Sequence, residues 1–400
     1  MPMGPLVAEL RSRIGNRLGA RSFARQAAGS GPVPDEGIAV FFATPPQNAY
    51  QLEQWRRPLE ALAAESRADR RGVFVVVDRP DTGRRLLETF RLPVAFARGS
   101  AALESLVERH RPRAVLYVNN VERNFRMLRF ADPVHIQLGH GDSDKGASVT
   151  NQHKAYDLTF VAGEAGRDRL SRALFDFDAR SRVWLVGRPQ LDYDVQGAPD
   201  WPADGTSRVL YAPTWEGDRP SLRYSSVVSH GPALIAALRA DPRVRVVYRP
   251  HPWLGRISAE HARVDRELRA ALMADGDRHL VDTGTYGWQW TFADACIADV
   301  SAVAYDWLAT RKPLVVTRPE AEEAYLPPSR LLDSLPLLGA AGASSIVREL
   351  LDSAPPAELA GLAEYYFGDT SRGASTNRFE QALEDAIEAR AVEIAARSAG

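Results

Sequence analysis

Residues 134–146 read VHIQLGHGDSDKG: an apolar, alternating run of strand length that ends on a histidine held between two glycines, then breaks into aspartates, serine and lysine. The run predicts a buried strand, and the glycines let the backbone turn sharply and come close to a ligand. The same grammar repeats outward. IAVFFATP (38–45), VFVVVDRP (73–80), VAFARGS (94–100), AVLYVNN (114–120) and LTFVAGE (158–164) are short apolar runs of the kind buried on both faces of a parallel sheet. Stretches with helical periodicity, such as AALESLVERHRP (101–112), separate them. After RVWLVGRPQLDYD (182–194) and the turn-rich QGAPDWPADGTS (196–207), a second series begins. Its strands are RVLYAPTW (208–215), RVVYRPHP (245–252), HLVDTG (279–284), ACIADVS (295–301) and PLVVTRP (313–319). The expected fold class is α/β: two doubly wound, Rossmann-like domains facing a cleft. Their expected extents are 31–193 and 205–375, with a C-terminal helix at 376–400.

Composition narrows the function. The chain has 400 residues, 45% of them hydrophobic and 25% charged, enough for two or three domains with large cores. Lys plus Arg number 50 against 51 for Asp plus Glu, so no overall field draws the protein to nucleic acid and any anion site is local. The lone cysteine, Cys296, forms no intramolecular disulfide, and no signal-like apolar core opens the chain. A reducing cytoplasm is the expected location. No stretch approaches the ~20 apolar residues of a spanning helix. Residues 1–30, however, carry five arginines against one acid, with Val7, Leu10, Ile14 and Leu18 at helical spacing. This segment is expected to be an amphipathic helix, either lying on an anionic membrane surface or docked on the protein.

The unusual residues fall at strand ends, where an open α/β sheet binds its ligand. His140, between Gly139 and Gly141, presents an imidazole suited to general-base work near neutral pH. In YRPHPW (248–253), Arg249 and His251 alternate on a backbone stiffened by prolines, a pair suited to phosphate oxygens. In IADVSAVAYDWL (297–308), Ser301 is placed as the N-cap of a helix whose free amides favour an anion. Thr214 in YAPTW (211–215) offers a hydroxyl from another strand end. The triple DSD at 142–144 has the form of a metal and diphosphate site, but DYD at 192–194 has it too, and a metal role is the weaker reading. His135 and His153 are read as structural, and the tryptophans at 215, 253, 288, 290 and 307 as core or cleft wall.

As a set, HGDSDK (140–145), YAPTW, RPHP (249–252) and DVSAVAYDW (299–307) resemble the CDP-glycerol glycerophosphotransferases, the teichoic-acid and capsule polymer transferases of GT-B architecture. The resemblance spans roughly residues 110–320. It implies that His140 is the base, that Lys145 lies beside the reacting groups, and that Pro213, Thr214, Arg249, His251, Ser301 and Asp306 bind a CDP-linked donor. Gly141 and Ala302 complete the expected donor contacts. The sequence departs from the family at Ala302, where a second serine is usual, and at Gln190 in GRPQLD, where an arginine is common. The implied reaction moves a polyol phosphate to a hydroxyl of a polymer or lipid-linked primer and releases CMP. No cofactor is required by it, and Mg2+ is compatible with it. Two alternatives share the fold: a glycosyltransferase using a nucleotide sugar, and an inactive nucleotide-binding module.

Overall fold

The computed structural model describes residues 19–65, 72–141, 144, 149–326, 328–352 and 356–399. The expected stripe of the first 18 residues, and Lys145, lie outside the described residues; residues 19–28 are helical.

Two parallel sheets organise the chain. The first contains β1 (Ile38–Phe42), β2 (Val73–Val77), β3 (Val94–Phe96), β4 (Ala114–Tyr117), β5 (Val134–Gln137), β6 (Leu158–Val161) and β7 (Val183–Leu185). The second contains β8 (Ser207–Ala212), β9 (Val244–Tyr248), β10 (Leu280–Val281), β11 (Ala295–Ala298), β12 (Leu314–Thr317) and β13 (Leu337–Leu338). Their strand orders are β3-β2-β1-β4-β5-β6-β7 and β10-β9-β8-β11-β12-β13. The two orders are the same for six strands. Each reverses direction beside its first strand, between β1 and β4 and between β8 and β11, and such switch points open a crevice at the carboxyl edge.

The apolar runs form strands because both their faces are covered. In β1, Ile38, Val40 and Phe42 join one core while Ala39 and Phe41 join another on the opposite face. In β8, Leu210 and Ala212 face one core and Val209 and Tyr211 the other. This period-two division with no polar face is what parallel sheets sandwiched between helices require. The last helix, Ala374–Ser398, returns the chain to the first sheet. Its Phe379, Leu383, Ala386 and Ile387 complete that sheet's core, and Phe379 packs on Trp55 at 5.4 Å between ring centroids. No helix among the described residues is long and apolar enough to cross a membrane.

Candidate active site

The carboxyl edges of both sheets line one cleft of about 1190 Å³. From the first domain come the segment after β1, the end of β4 and the loop after β5; from the second come the loops after β8, β9 and β10 and the start of the helix Ala302–Leu308.

His140 follows β5 through Gly139, whose φ of +68° lies in the left-handed region that favours glycine. The Trp55 indole Nε1 donates to the Gly139 carbonyl at 2.6 Å and fixes this turn. The imidazole Nδ1 lies 3.0 Å from the Val118 carbonyl. A carbonyl can only accept, so the proton sits on Nδ1 and Nε2 carries the lone pair. Burial, with a smaller push from the Arg188 charge and against the Val118 hydrogen bond, lowers the imidazole pKa to about 4. At neutral pH His140 is therefore an uncharged acceptor. The next residue is small for a steric reason: a Cβ on Gly141 would stand 3.0 Å from the Ala302 Cβ. The histidine loop and the helix start of the other domain meet at this contact.

Two carboxylates assemble the second domain's half of the cleft. Asp299, fully buried after β11, accepts from the Thr214 amide (2.6 Å), the Ser226 amide (3.2 Å) and the Thr317 hydroxyl (2.6 Å). Glu216 accepts the amides of Gly255, Ile257 and Ser258 and so ties the loop after β9 to the loop after β8. Pro213 receives the His251 amide on its carbonyl. The His251 Nδ1 accepts from the Trp253 amide at 3.1 Å, which places the ring proton on Nε2. The two histidines are thus complementary, one an acceptor at Nε2 and the other a donor there. The Tyr50 ring touches both, edge-on to His140 at 6.1 Å and to His251 at 6.3 Å.

Ser301 occupies the N-cap position, but its side chain makes no capping bond. Its hydroxyl is buried on the cleft wall and lacks a partner, as do both amide atoms of Gln190. A buried polar group without a partner is costly, and at a cleft its natural complement is a ligand. Arg249 lines the cleft, yet its Nη1 is paired with Asp282 Oδ2 at 2.5 Å and its Nη2 with the Gly284 carbonyl at 3.1 Å. Asp306 is 1% exposed and lies behind the cleft lining. It accepts a two-pronged contact from Arg188 at 3.0 and 3.2 Å and the Tyr286 hydroxyl at 2.9 Å. Arg188 Nη2 also reaches the His140 carbonyl at 3.4 Å, so this pair spans the domains directly beneath the base.

The remaining expectations are placed as follows. Asp144, a member of the acidic triple, is held by Arg169 at 2.6 Å and the Tyr366 hydroxyl at 2.5 Å. Among the described residues no cluster of three or more His, Cys, Asp and Glu could hold a metal ion. His135 is a satisfied core histidine between the Tyr117 hydroxyl and the Phe130 carbonyl, whereas His153 is on the cleft wall. Trp288, Trp290 and Trp307 are core; Trp215 lines the cleft and stacks on His251 at 6.3 Å. Sequence reading missed Tyr50, Gln51, Asn119, Glu216 and Asp282, which stand in otherwise ordinary stretches. The one available signal concerned Arg188, which sits two places before Gln190 in the unusual GRPQLD.

Comparison with known proteins places the fold and the family. In solved structures the fold is matched by the wall teichoic acid polymerase TagF, at 12% identity, TM-score 0.59 and 96% coverage of both chains. It is matched equally well by a UDP-N-acetylglucosamine 2-epimerase from Listeria monocytogenes, at 14% identity and TM-score 0.58, over 88% of this chain and 97% of that one. These likenesses establish the fold alone, because one architecture serves different chemistries. No curated protein matches the chain in sequence. The family profile described as CDP-glycerol:poly(glycerophosphate) glycerophosphotransferase matches residues 112–326, more than half the chain and the stretch that holds His140, the 213–215 loop, His251 and Ser301. The chain belongs to the CDP-glycerol:poly(glycerophosphate) glycerophosphotransferase family.

Proposed function

We propose that the protein transfers a polyol phosphate, glycerol phosphate in the first instance, from a CDP-linked donor to a hydroxyl of a polymer or lipid-linked primer. The observation that carries this reading is the contact between the His140–Gly141 loop and the helix start at Ser301–Ala302. It sets an uncharged imidazole acceptor against an unpartnered hydroxyl at a helix start. A structure of TagF soaked with CDPG, 13% identical to this chain, is in keeping with such a donor. In the proposed step the acceptor oxygen forms a bond to the phosphorus that carries the polyol, and the bond from that phosphorus to the bridging oxygen breaks. CMP leaves with the electron pair, and the acceptor proton passes to His140 Nε2. His251 Nε2–H, Ser301 and the amides at the helix start meet the charge on the phosphate oxygens, with Arg249 as a further cation once drawn from Asp282. Mg2+ is not a required part of this reading. Incubation with CDP-glycerol, CDP-ribitol, UDP-sugars and GDP-sugars, with identification of the released nucleotide, tests it. CMP is expected; release of UDP or GDP instead would make the protein a glycosyltransferase.

A further inference from the structure

The segment that carries His140 is gripped a second time, four residues further along the chain, at Asp144. Asp144 is 8% exposed, and neither it nor the two tyrosines that hold it line the cleft. Its Oδ1 accepts from Arg169 Nη1 at 2.6 Å and its Oδ2 from the Tyr366 hydroxyl at 2.5 Å. Its amide donates to the Tyr305 hydroxyl. The carboxylate is thus committed to protein partners at both oxygens.

These partners come from opposite sides of the domain junction. Arg169 lies on the first-domain helix Glu164–Ala173. Tyr305 and Tyr366 belong to the second domain's core, with ring centroids 5.2 Å apart. A carboxylate can only accept, so the single phenol proton of Tyr366 goes to Asp144. The Leu331 amide at 3.3 Å and Ser329 Oγ at 3.2 Å then fill the acceptor positions of that hydroxyl, and Tyr305 reaches the same Ser329 at 3.3 Å. The helices on the two sides are docked without slack. A Cβ on Gly163 would stand 2.5 Å from the Tyr366 carbonyl, and the Tyr365 hydroxyl donates to Asp168 at 2.8 Å.

Tyr305 sits on the helix Ala302–Leu308, whose start meets the His140–Gly141 loop. Asp306, the next residue on that helix, reaches the His140 carbonyl through Arg188. One helix of the second domain therefore holds the base's segment at two points, at His140 and at Asp144. A buried charged pair adds little stability over apolar residues of similar size. What it adds is direction, because hydrogen bonds weaken steeply with distance and angle.

We infer that Asp144 is a positioning residue: through Tyr305 and Tyr366 it fixes the distance between His140 and the helix that opens at Ser301, across the domain junction and without touching either substrate. This deepens the proposed function and rests on its assignment of His140 as the base.

Tyr366→Phe removes one hydroxyl and leaves the Asp144–Arg169 pair whole, so it tests the contact even if Asp144→Ala, which strips Arg169 of its carboxylate, fails to fold. Hydrogen–deuterium exchange on the free full-length chain reads the anchor with no donor present. Amides of residues 138–141 should exchange at least about tenfold faster in Tyr366→Phe, while those of β1 and β2 keep the parent's rates. On whichever CDP-polyol or nucleotide sugar the parent turns over, kcat should fall about tenfold or more, because a slightly displaced base is a poor one. Donor affinity by calorimetry should stay within about twofold, since no donor contact is removed. In the Asp144→Ala, Tyr366→Phe double variant kcat should fall no further than in the worse single variant, because both changes break one contact. Parent-like exchange at 138–141, kcat within about twofold of the parent, or donor affinity that falls together with kcat would each overturn the inference. Release of UDP or GDP by the parent would instead overturn the reading of the donor, and this test would stand unchanged.

Discussion

The pH dependence of the reaction tests the placement of His140 most directly. The imidazole can act as a base only while neutral, and burial together with the Arg188 charge holds its pKa at about 4. At pH 5 about nine-tenths of the protein would carry the competent form, and at pH 7 essentially all of it. The plot of kcat/KM against pH should therefore be flat from about pH 8 down to about pH 5 and fall below that with an inflection near 4. An ordinary histidine would already be half inactive at about 6.5. Stability should respond with the same sign. The folded-state pKa lies below the unfolded value, so the unfolded chain binds the proton first; stability is fully present above pH 6.5 and is lost as pH falls toward 4. The gap corresponds to at most about 3.5 kcal/mol at about 1.4 kcal/mol per tenfold. His140→Ala should remove this part of the pH dependence of urea unfolding and lower turnover by about 10²-fold or more while leaving donor affinity in place. The assay is CMP release at saturating and limiting donor across the pH range. An acid limb inflecting near 6.5, or turnover within a few-fold of the parent in the alanine variant, would refute the reasoning.

Ser301→Ala should leave stability within about 0.5 kcal/mol, since its hydroxyl makes no bond in the free protein, yet weaken donor binding several-fold by calorimetry; unchanged affinity would mean the hydroxyl meets no ligand. His251→Ala and Arg249→Ala should both weaken donor binding as well as rate, because contacts to a diphosphate act in ground and transition states alike. Arg249→Ala also strips Asp282 of its cation, so Arg249→Ala with Asp282→Asn separates the structural loss from the binding loss. Arg188→Met should cost about 3–5 kcal/mol in urea unfolding, since it takes the cation from the buried Asp306 carboxylate, and Asp306→Leu in the same chain should recover most of it; a single-variant loss under about 1 kcal/mol would show the pair to be screened. Deleting residues 1–18, a cut that stops short of Phe23 and Ala27 in the first sheet's core, should abolish co-sedimentation with anionic liposomes at low salt and spare activity on a short soluble acceptor, because the cleft residues all come later in the chain.

The fold was legible because a parallel sheet leaves a plain mark: runs such as VFVVV, apolar at every position, arise only where both faces are covered. Strand order was not legible, for it depends on crossovers that no local pattern encodes. Within the site, the histidine between glycines could be read because backbone geometry selects residue types, and a left-handed turn selects glycine; the serine after β11 stood out by its place at a helix start, although its hydroxyl makes no capping bond. Pairings over long separations could not. Arg188 and Asp306 are 118 positions apart, and nothing around YDW says that this carboxylate is committed to an arginine of the interdomain segment. The same holds for Arg249, whose neighbour in space, Asp282, belongs to the next strand end.

These unreadable pairings bear on how the cleft would work. A bound diphosphate meets a second domain whose loops are already fixed by Asp299 and Glu216, and whose helix is tied through Asp306 to an arginine of the interdomain segment. On the proposed reading, donor charge falls first on groups that need no rearrangement: the His251 Nε2–H, the Ser301 hydroxyl and the helix amides. Arg249 differs, because reaching the donor means exchanging Asp282 for phosphate, a cost set against its stronger charge-assisted bonds. Asp282 keeps Gln289 as a donor at 2.6 Å and the Gly284 amide at 2.9 Å during such an exchange, so the carboxylate left behind is not stranded. An arginine held this way can be given up to an incoming anion and recovered when CMP departs, whereas Arg188, locked to a carboxylate that is 1% exposed, cannot leave without exposing the domain junction.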